Sequence, residues 1–232
     1  MADKELEEVY REKSEKYERM VAREDYQNNI YRAIMQIRDL HGLDVIDTGA
    51  GTGRLACMFA PIARTMRAYD LSEGMITVAQ EKLAASGLKN WETGVADHRA
   101  LPAETDSADV ILSGWSVVYT VVWSPENWRE ELEKALKELQ RVLRPGGTLI
   151  ILETNGTGYE TPTPPADLLE YFRYLDGAGF QYTWIRTDYQ FESMEEGKDL
   201  TTFFFGDAIV EKFSSTDPAI LPECTGIWWK QF

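Results

Sequence analysis

The chain reads as an α/β protein in which a mostly parallel sheet carries helices on both faces. Three observations predict it. Strand-like apolar runs alternate with helix-like ones over most of the sequence. The first run ends in a glycine-rich loop that opens a helix. The chain finishes on Gly-Ile-Trp-Trp-Lys-Gln-Phe, an alternating segment suited to a closing strand.

Residues 4–40 mix charge with Tyr10, Tyr17, Met20, Val21, Ile30, Ile34 and Ile37 at helical spacing, which predicts one or two amphipathic helices before the first strand. Strands are expected at 43–48, 66–70, 91–96, 108–113 and 148–153, and helices near 53–62, 73–86 and 126–143. In the last of these helices Trp128, Leu132, Leu136, Leu139 and Leu143 share a face, Ser124-Pro125-Glu126 supplies a start signal, and Pro145-Gly146-Gly147 a stop. A Pro/Thr loop at 157–168 is placed beside the site. Beyond it, 168–175 reads as helix, 180–193 as strand and 195–214 as helix. Trp228 and Trp229 are expected on opposite faces of the closing strand, both packed.

The 232 residues make one domain, able to bury roughly 70% of its unfolded surface. Two cysteines, Cys57 and Cys224, form no disulfide framework, and the charged N-terminus does not read as a signal peptide, so a cytoplasmic location is expected. No apolar run is long enough to span a membrane. A net charge of −15 argues against nucleic acid and anionic lipid.

Residues 43–56 run Leu-Asp-Val-Ile-Asp-Thr-Gly-Ala-Gly-Thr-Gly-Arg-Leu-Ala. Gly49, Gly51 and Gly53 permit positive φ and let a ligand approach bare backbone. A dinucleotide fingerprint would need its third glycine where Arg54 stands, and a phosphate-binding P-loop would end in Gly-Lys-Ser/Thr. Asp47, delivered to the loop by an apolar strand, suits an ammonium or hydroxyl better than a pyrophosphate. The pattern points to a nucleoside with a cationic, amino-acid-like tail.

Val-Ile-Asp-Thr-Gly-Ala-Gly-Thr-Gly-Arg resembles the first motif of the class I S-adenosylmethionine-dependent methyltransferases. Further segments match in order: Asp70 in MRAYDLSEGM, Asp97 in GVADHRALP, DVILSGWSVV at 109–118 and RVLRPGGTLIILE at 141–153. Within that family the chain resembles the small-molecule, ubiquinone/menaquinone-biosynthesis-like type. The resemblance implies a Rossmann-like, seven-stranded, mostly parallel sheet with an antiparallel last strand, an N-terminal helical lid (1–40) and one methyltransferase domain (41–232). It also implies a cofactor, S-adenosylmethionine, with S-adenosylhomocysteine as product. Asp47, Gly49, Ala50, Gly51 and Gly53 would meet the amino-acid end. Asp70 would hold the ribose, with Leu71 and Met75 near the base, and Asp97 would receive the adenine amino group beside His98. Ser113 and Trp115 would face the site from the fourth strand, and Tyr17 and Tyr26 would close over the cofactor.

Methyl transfer is an in-line displacement in which alignment at about 3–3.5 Å supplies much of the acceleration, so a strong base is optional. His98 is the one histidine near the expected site, a candidate base set against a simpler role beside the adenine. Tyr10, Trp115, Tyr119 and Trp123 are candidates for an acceptor pocket. The fourth strand lacks Asn/Asp-Pro-Pro-Tyr, neither cysteine follows a proline, and no aspartate ends the fourth strand, so amide, cytosine-C5 and metal-dependent catechol types are not indicated and no metal is expected. The expectation is methyl transfer to an O, N or S atom of a small molecule without a metal. A non-catalytic S-adenosylmethionine-binding module, a protein acceptor and a nicotinamide-dependent oxidoreductase stay open, the last opposed by Arg54.

Overall fold

A computed structural model describes residues 14–232, with side chains from Lys16 onward. Its framework is a seven-stranded sheet in the order β3-β2-β1-β4-β5-β10-β6. The strands are β1 (Asp44–Thr48), β2 (Thr65–Asp70), β3 (Trp91–Val95), β4 (Ala108–Gly114), β5 (Leu143–Thr157), β6 (Gln181–Arg186) and β10 (Glu223–Gln231). β1 pairs in parallel with β2 and β4, and β10 lies antiparallel between β5 and β6. The closing strand is therefore antiparallel, as expected.

Alternation along each central strand divides the core into two layers. Ile46, Ile111, Leu149, Ile151 and Trp228 face one layer, which α6 (Trp128–Val142) and α7 (Leu169–Gly177) cover with Leu132, Leu139 and Tyr171. Val45, Val110, Leu112, Ile150 and Ile227 face the other. There α2 (Asn29–Ile37), α3 (Arg54–Phe59) and α4 (Glu73–Ala85) supply Ile34, Phe59 and Leu83, while Trp229 is partly buried at its edge. All five residues of β1 are buried, as a central strand covered on both sides requires.

The C-terminal third departs from the expected run of elements. The alternating stretch at 180–193 is two strands, β6 and β7 (Tyr189–Phe191), which part at Thr187-Asp188 and join different sheets. β7 enters a small antiparallel sheet, β7-β9-β8, with β8 (Ser215–Thr216) and β9 (Ala219–Leu221). The helix expected at 195–214 ends as α8 (Met194–Phe205) at Gly206, whose φ of 78° breaks it, and a 3-10 turn follows. α1 (Ser14–Val21) docks here through Met20 against Tyr189, Leu200 and Leu221, forming a third cluster. α2 instead buries Ile30 and Ile34 in the main core.

The chain passes from β1 outward through β2 and β3, then returns to the other side of β1 as β4. That reversal opens a crevice beyond the carboxyl ends of β1 and β4, where ligands of open α/β sheets bind.

Phe59 is fully buried and stacks on Tyr31 at 5.5 Å between ring centres, which clamps α2 to α3. Phe59→Ala is expected to cost about 3–5 kcal/mol of stability by urea denaturation, and a loss below about 1 kcal/mol would show that this clamp is not part of the core.

Candidate active site

The crevice begins at the glycine loop. Gly49, Gly51 and Gly53 all have positive φ, and a Cβ on Gly49 would come within 2.2 Å of the Ser116 side chain. Two carboxylates hold the loop. Asp70, at the tip of β2, accepts from the Gly51 N–H and the Ser72 N–H, each at 2.8 Å. Asp47, at the tip of β1, accepts from the Ala56 N–H at 2.9 Å. Ser72 caps α4. Burial raises both carboxyls, Asp47 to about 7 with the charge of Asp70 adding to the effect. A buried acid raised in this way fits a ligand that brings a cation.

A second network ties the loop after β1 to the loop after β4. Ser116 Oγ donates to the Thr48 carbonyl at 2.9 Å and lies 2.8 Å from Ser113 Oγ, and Thr48 Oγ1 lies 2.8 Å from His98 Nδ1. Burial pulls His98 down to about 4, so its imidazole is neutral and weakly basic. That does not suit the base role. Asp97 is drawn below the usual carboxylate range, chiefly by the side-chain hydrogen bond from Arg99, which meets its two oxygens at 2.8 and 2.6 Å.

Two adjoining cavities occupy the crevice. The first, about 620 Å³, is lined by Asp70, Leu71, Met75, Asp97, His98 and Trp123, among others. The second, about 320 Å³, takes Asp47, Ala50 and Thr52 from the glycine loop and reaches Glu24, Glu153, Tyr189 and Glu223. Tyr17, Gly49, Gly51, Gly114, Trp115 and Tyr119 line both. Tyr119 stacks on Trp123 at 4.8 Å.

Most of the residues expected from the sequence thus meet at one place, with four exceptions. Gly53 lines neither cavity; a Cβ there would come within 2.9 Å of the Ala79 Cβ, so it serves the packing of α3 on α4. Ser113 is fully buried beneath the site, bonded to Ser116. Tyr26, expected beside Tyr17, is 45% exposed and takes a hydrogen bond from Gln27 outside both cavities. Tyr10 lies outside the described residues.

The expected site residues do not include Glu24, Glu153 or Glu223, which line the second cavity. Arg54 drew notice only as a missing glycine, yet its Nη1 donates to Glu24 Oε2 at 2.6 Å and its guanidinium sits 5.1 Å from the Trp115 ring. One signal was available: Glu153 is a charged residue at the site-facing end of an apolar strand.

Residues 46–151 match the family model described as "Methyltransferase domain". The chain carries a class I methyltransferase domain. S-adenosylmethionine is the cofactor that goes with that domain. The demethylmenaquinone methyltransferase of Lactococcus lactis is 31% identical over 65% of this chain and 58% of its own length. The malonyl-[acyl-carrier protein] O-methyltransferase of Pectobacterium atrosepticum is 32% identical over 47% of this chain and 37% of its own. Phosphoethanolamine N-methyltransferase 1 of Caenorhabditis elegans is 35% identical over 34% of this chain and 16% of its own. The chain therefore spans less than two thirds of the length of these relatives. An S-adenosylmethionine-dependent methyltransferase of Aquifex aeolicus has the same fold, with a TM-score of 0.52 at 18% identity over 84% of this chain and 88% of the other. Among the described residues, no helix is long and apolar enough to cross a membrane.

Gly49→Ala is expected to displace the loop after β4 and to weaken S-adenosylhomocysteine binding by at least about tenfold in calorimetry. Asp47, Glu153 and Glu223 are raised to about 7, 8 and 8, chiefly by burial. Below the unfolded-state values near 4 these acids are protonated in both states. Above about pH 4.5 the folded chain holds more protons than the unfolded one, so their contribution to stability falls as pH rises toward about 8. Urea midpoints of the ligand-free protein are expected to decline over that range, and Glu153→Gln is expected to flatten the decline.

Proposed function

We propose that the protein is an S-adenosylmethionine-dependent methyltransferase acting on a small-molecule acceptor. The observation that carries this reading is the junction of the two cavities at the glycine loop, one bordered by Asp70 and Met75, the other by Glu24 and Glu223. The residues present fit the cofactor. Asp47 and the loop backbone suit the amino-acid end, Asp70 the ribose hydroxyls, and the apolar wall with Met75 the base. When bound, S-adenosylmethionine supplies an electrophilic methyl carbon on a good leaving group.

The chain's own contribution is placement. Trp115, held at φ 51° with its N–H on the Leu152 carbonyl at 2.7 Å, stands at the junction. Tyr17 and Tyr119 flank the same passage. α1 brings Tyr17 over the loop, bound by Lys82 to Glu18 at 2.5 Å and by Lys16 to Asp199 at 2.9 Å. This supports reading the helix as a cover that excludes water. Alignment of this kind is worth several kcal/mol without any base. A displacement assisted only by positioning needs no metal, and among the described residues no set of His, Cys, Asp or Glu side chains is grouped to hold one.

The acceptor atom does not follow from the relatives, whose names put the methyl group on demethylmenaquinone, an oxygen and a nitrogen. The alternative of a binding module without turnover is separated by assaying methyl transfer across a metabolite library.

Isothermal titration with S-adenosylmethionine is expected to show one site, and no heat at millimolar ligand would refute the reading. Asp70→Asn is expected to weaken that binding by about 1.5–3 kcal/mol, roughly 10- to 150-fold, because a charged hydrogen-bond acceptor is lost.

A further inference from the structure

The second cavity carries an imbalance that the glycine loop does not account for. Its wall holds Glu24, Glu153 and Glu223 against one guanidinium, that of Arg54. Arg54 is already committed to Glu24 Oε2, and Glu153 Oε1 accepts from the Tyr171 hydroxyl at 3.1 Å. Glu223 has only hydroxyl partners, Thr157 and Thr154, and its Oε1 accepts from Thr154 Oγ1 at 2.7 Å.

Three oxygens are left over. Glu24 Oε1, Glu223 Oε2 and Thr52 Oγ1 have no hydrogen-bond partner among the described residues. All three residues line this one cavity. Glu223 and Thr52 are 2% and 1% exposed, and the Glu24 side chain 5%. Buried polar groups are paired in native proteins, so two unpaired carboxyl oxygens and one unpaired hydroxyl on residues lining one cavity indicate that their partner arrives with the ligand. Charge selects among donors. Burial and the charge of Glu24 push Glu223 up to about 8, as for a carboxyl taken from water without a counter-cation.

Resting on the methyltransferase reading above, the geometry points to an acceptor that enters the second cavity by a primary amino group, received by Glu223 and Glu24, with its apolar part against Trp115, Leu168 and Tyr189. An ammonium offers three donors and one positive charge to these oxygens and to a surplus acid. A quinone ring brings carbonyl oxygens and no positive charge, and would leave the surplus acid without a counter-cation. A metal cation lacks its cage, since the acids do not group as ligands among the described residues.

The test is calorimetry on protein saturated with S-adenosylhomocysteine. Two matched pairs serve as probes: 2-phenylethylamine against 2-phenylethanol, and ethanolamine against ethylene glycol. Each amine is expected to bind at least about tenfold more tightly than its alcohol. Glu223→Gln is expected to shrink that preference to about threefold or less while leaving S-adenosylhomocysteine affinity within about twofold. Equal binding of amine and alcohol, or no amine binding at about 10 mM, would overturn the assignment while leaving cofactor binding intact. So would a Glu223→Gln variant that loses affinity for S-adenosylmethionine relative to S-adenosylhomocysteine but keeps its amine preference, because Glu223 would then serve the sulfonium. Failure of S-adenosylhomocysteine to bind the wild-type protein would remove the methyltransferase reading and this assignment together. The wild-type preference is read without any variant, so it decides the question even if Glu223→Gln does not fold.

Discussion

The site depends on a turn that three positive-φ glycines shape and two carboxylates hold. Asp70 reaches from β2 to the Gly51 N–H, and Asp47 reaches from β1 to the Ala56 N–H. Each carboxylate is fixed in turn by a strand with no freedom to slide, because β1 is paired on both sides and buried throughout. A one-residue slip would turn Asp47 toward the other face and exchange the two core layers. The register of the sheet and the shape of the loop are therefore one constraint. Both cavities inherit their common border from it.

The second cavity needs more than the sheet. Part of its wall comes from α1 and Glu24 near the start of the chain and part from Tyr189, Phe205 and Glu223 near its end, with Glu24 bridged to Tyr189 along the backbone. Arg54 joins them to the loop, since it leaves the glycine turn, pairs with Glu24 and lies over Trp115. A buried pair of this kind contributes little net stability, but removing one partner would strand the other charge at a cost of about 3–5 kcal/mol. Its main effect is geometric. It holds the N-terminal segment against the one loop whose position sets where a cofactor's reactive end would lie.

The parts of the molecule legible in the sequence were those governed by local pattern. The glycine loop, the acids at strand tips and the 3.6-residue stripe of α6 each announce themselves within a dozen residues. Trp228 and Trp229 follow from a period of two, and both pack as expected, Trp229 less completely. Illegible were features set by tertiary pairing. Nothing in the alternation of 180–193 tells that Thr187-Asp188 transfers the chain from one sheet to another, because both strands alternate alike. Tyr26 and Tyr17 look equivalent as tyrosines of one N-terminal segment, yet Tyr26 falls beyond the end of α1 and turns to solvent. Glu24, Glu153 and Glu223 are scattered among 39 acidic residues and gain meaning only when folding buries them together.

The same division explains why relatives inform on the cofactor and not on the acceptor. The matched domain, residues 46–151, contains the glycine loop, Asp70, Asp97 and Trp115. Glu24, Tyr189 and Glu223 lie outside it, toward the two ends of the chain, and Glu153 lies just past it on β5. A constant sheet can then present one donor to many acceptors, because the strands that position the cofactor loop do not build the far wall. Specificity would then be written on segments outside the matched domain. In this chain that wall is acidic, buried and short of hydrogen-bond donors, and the chemistry of the acceptor must answer to it.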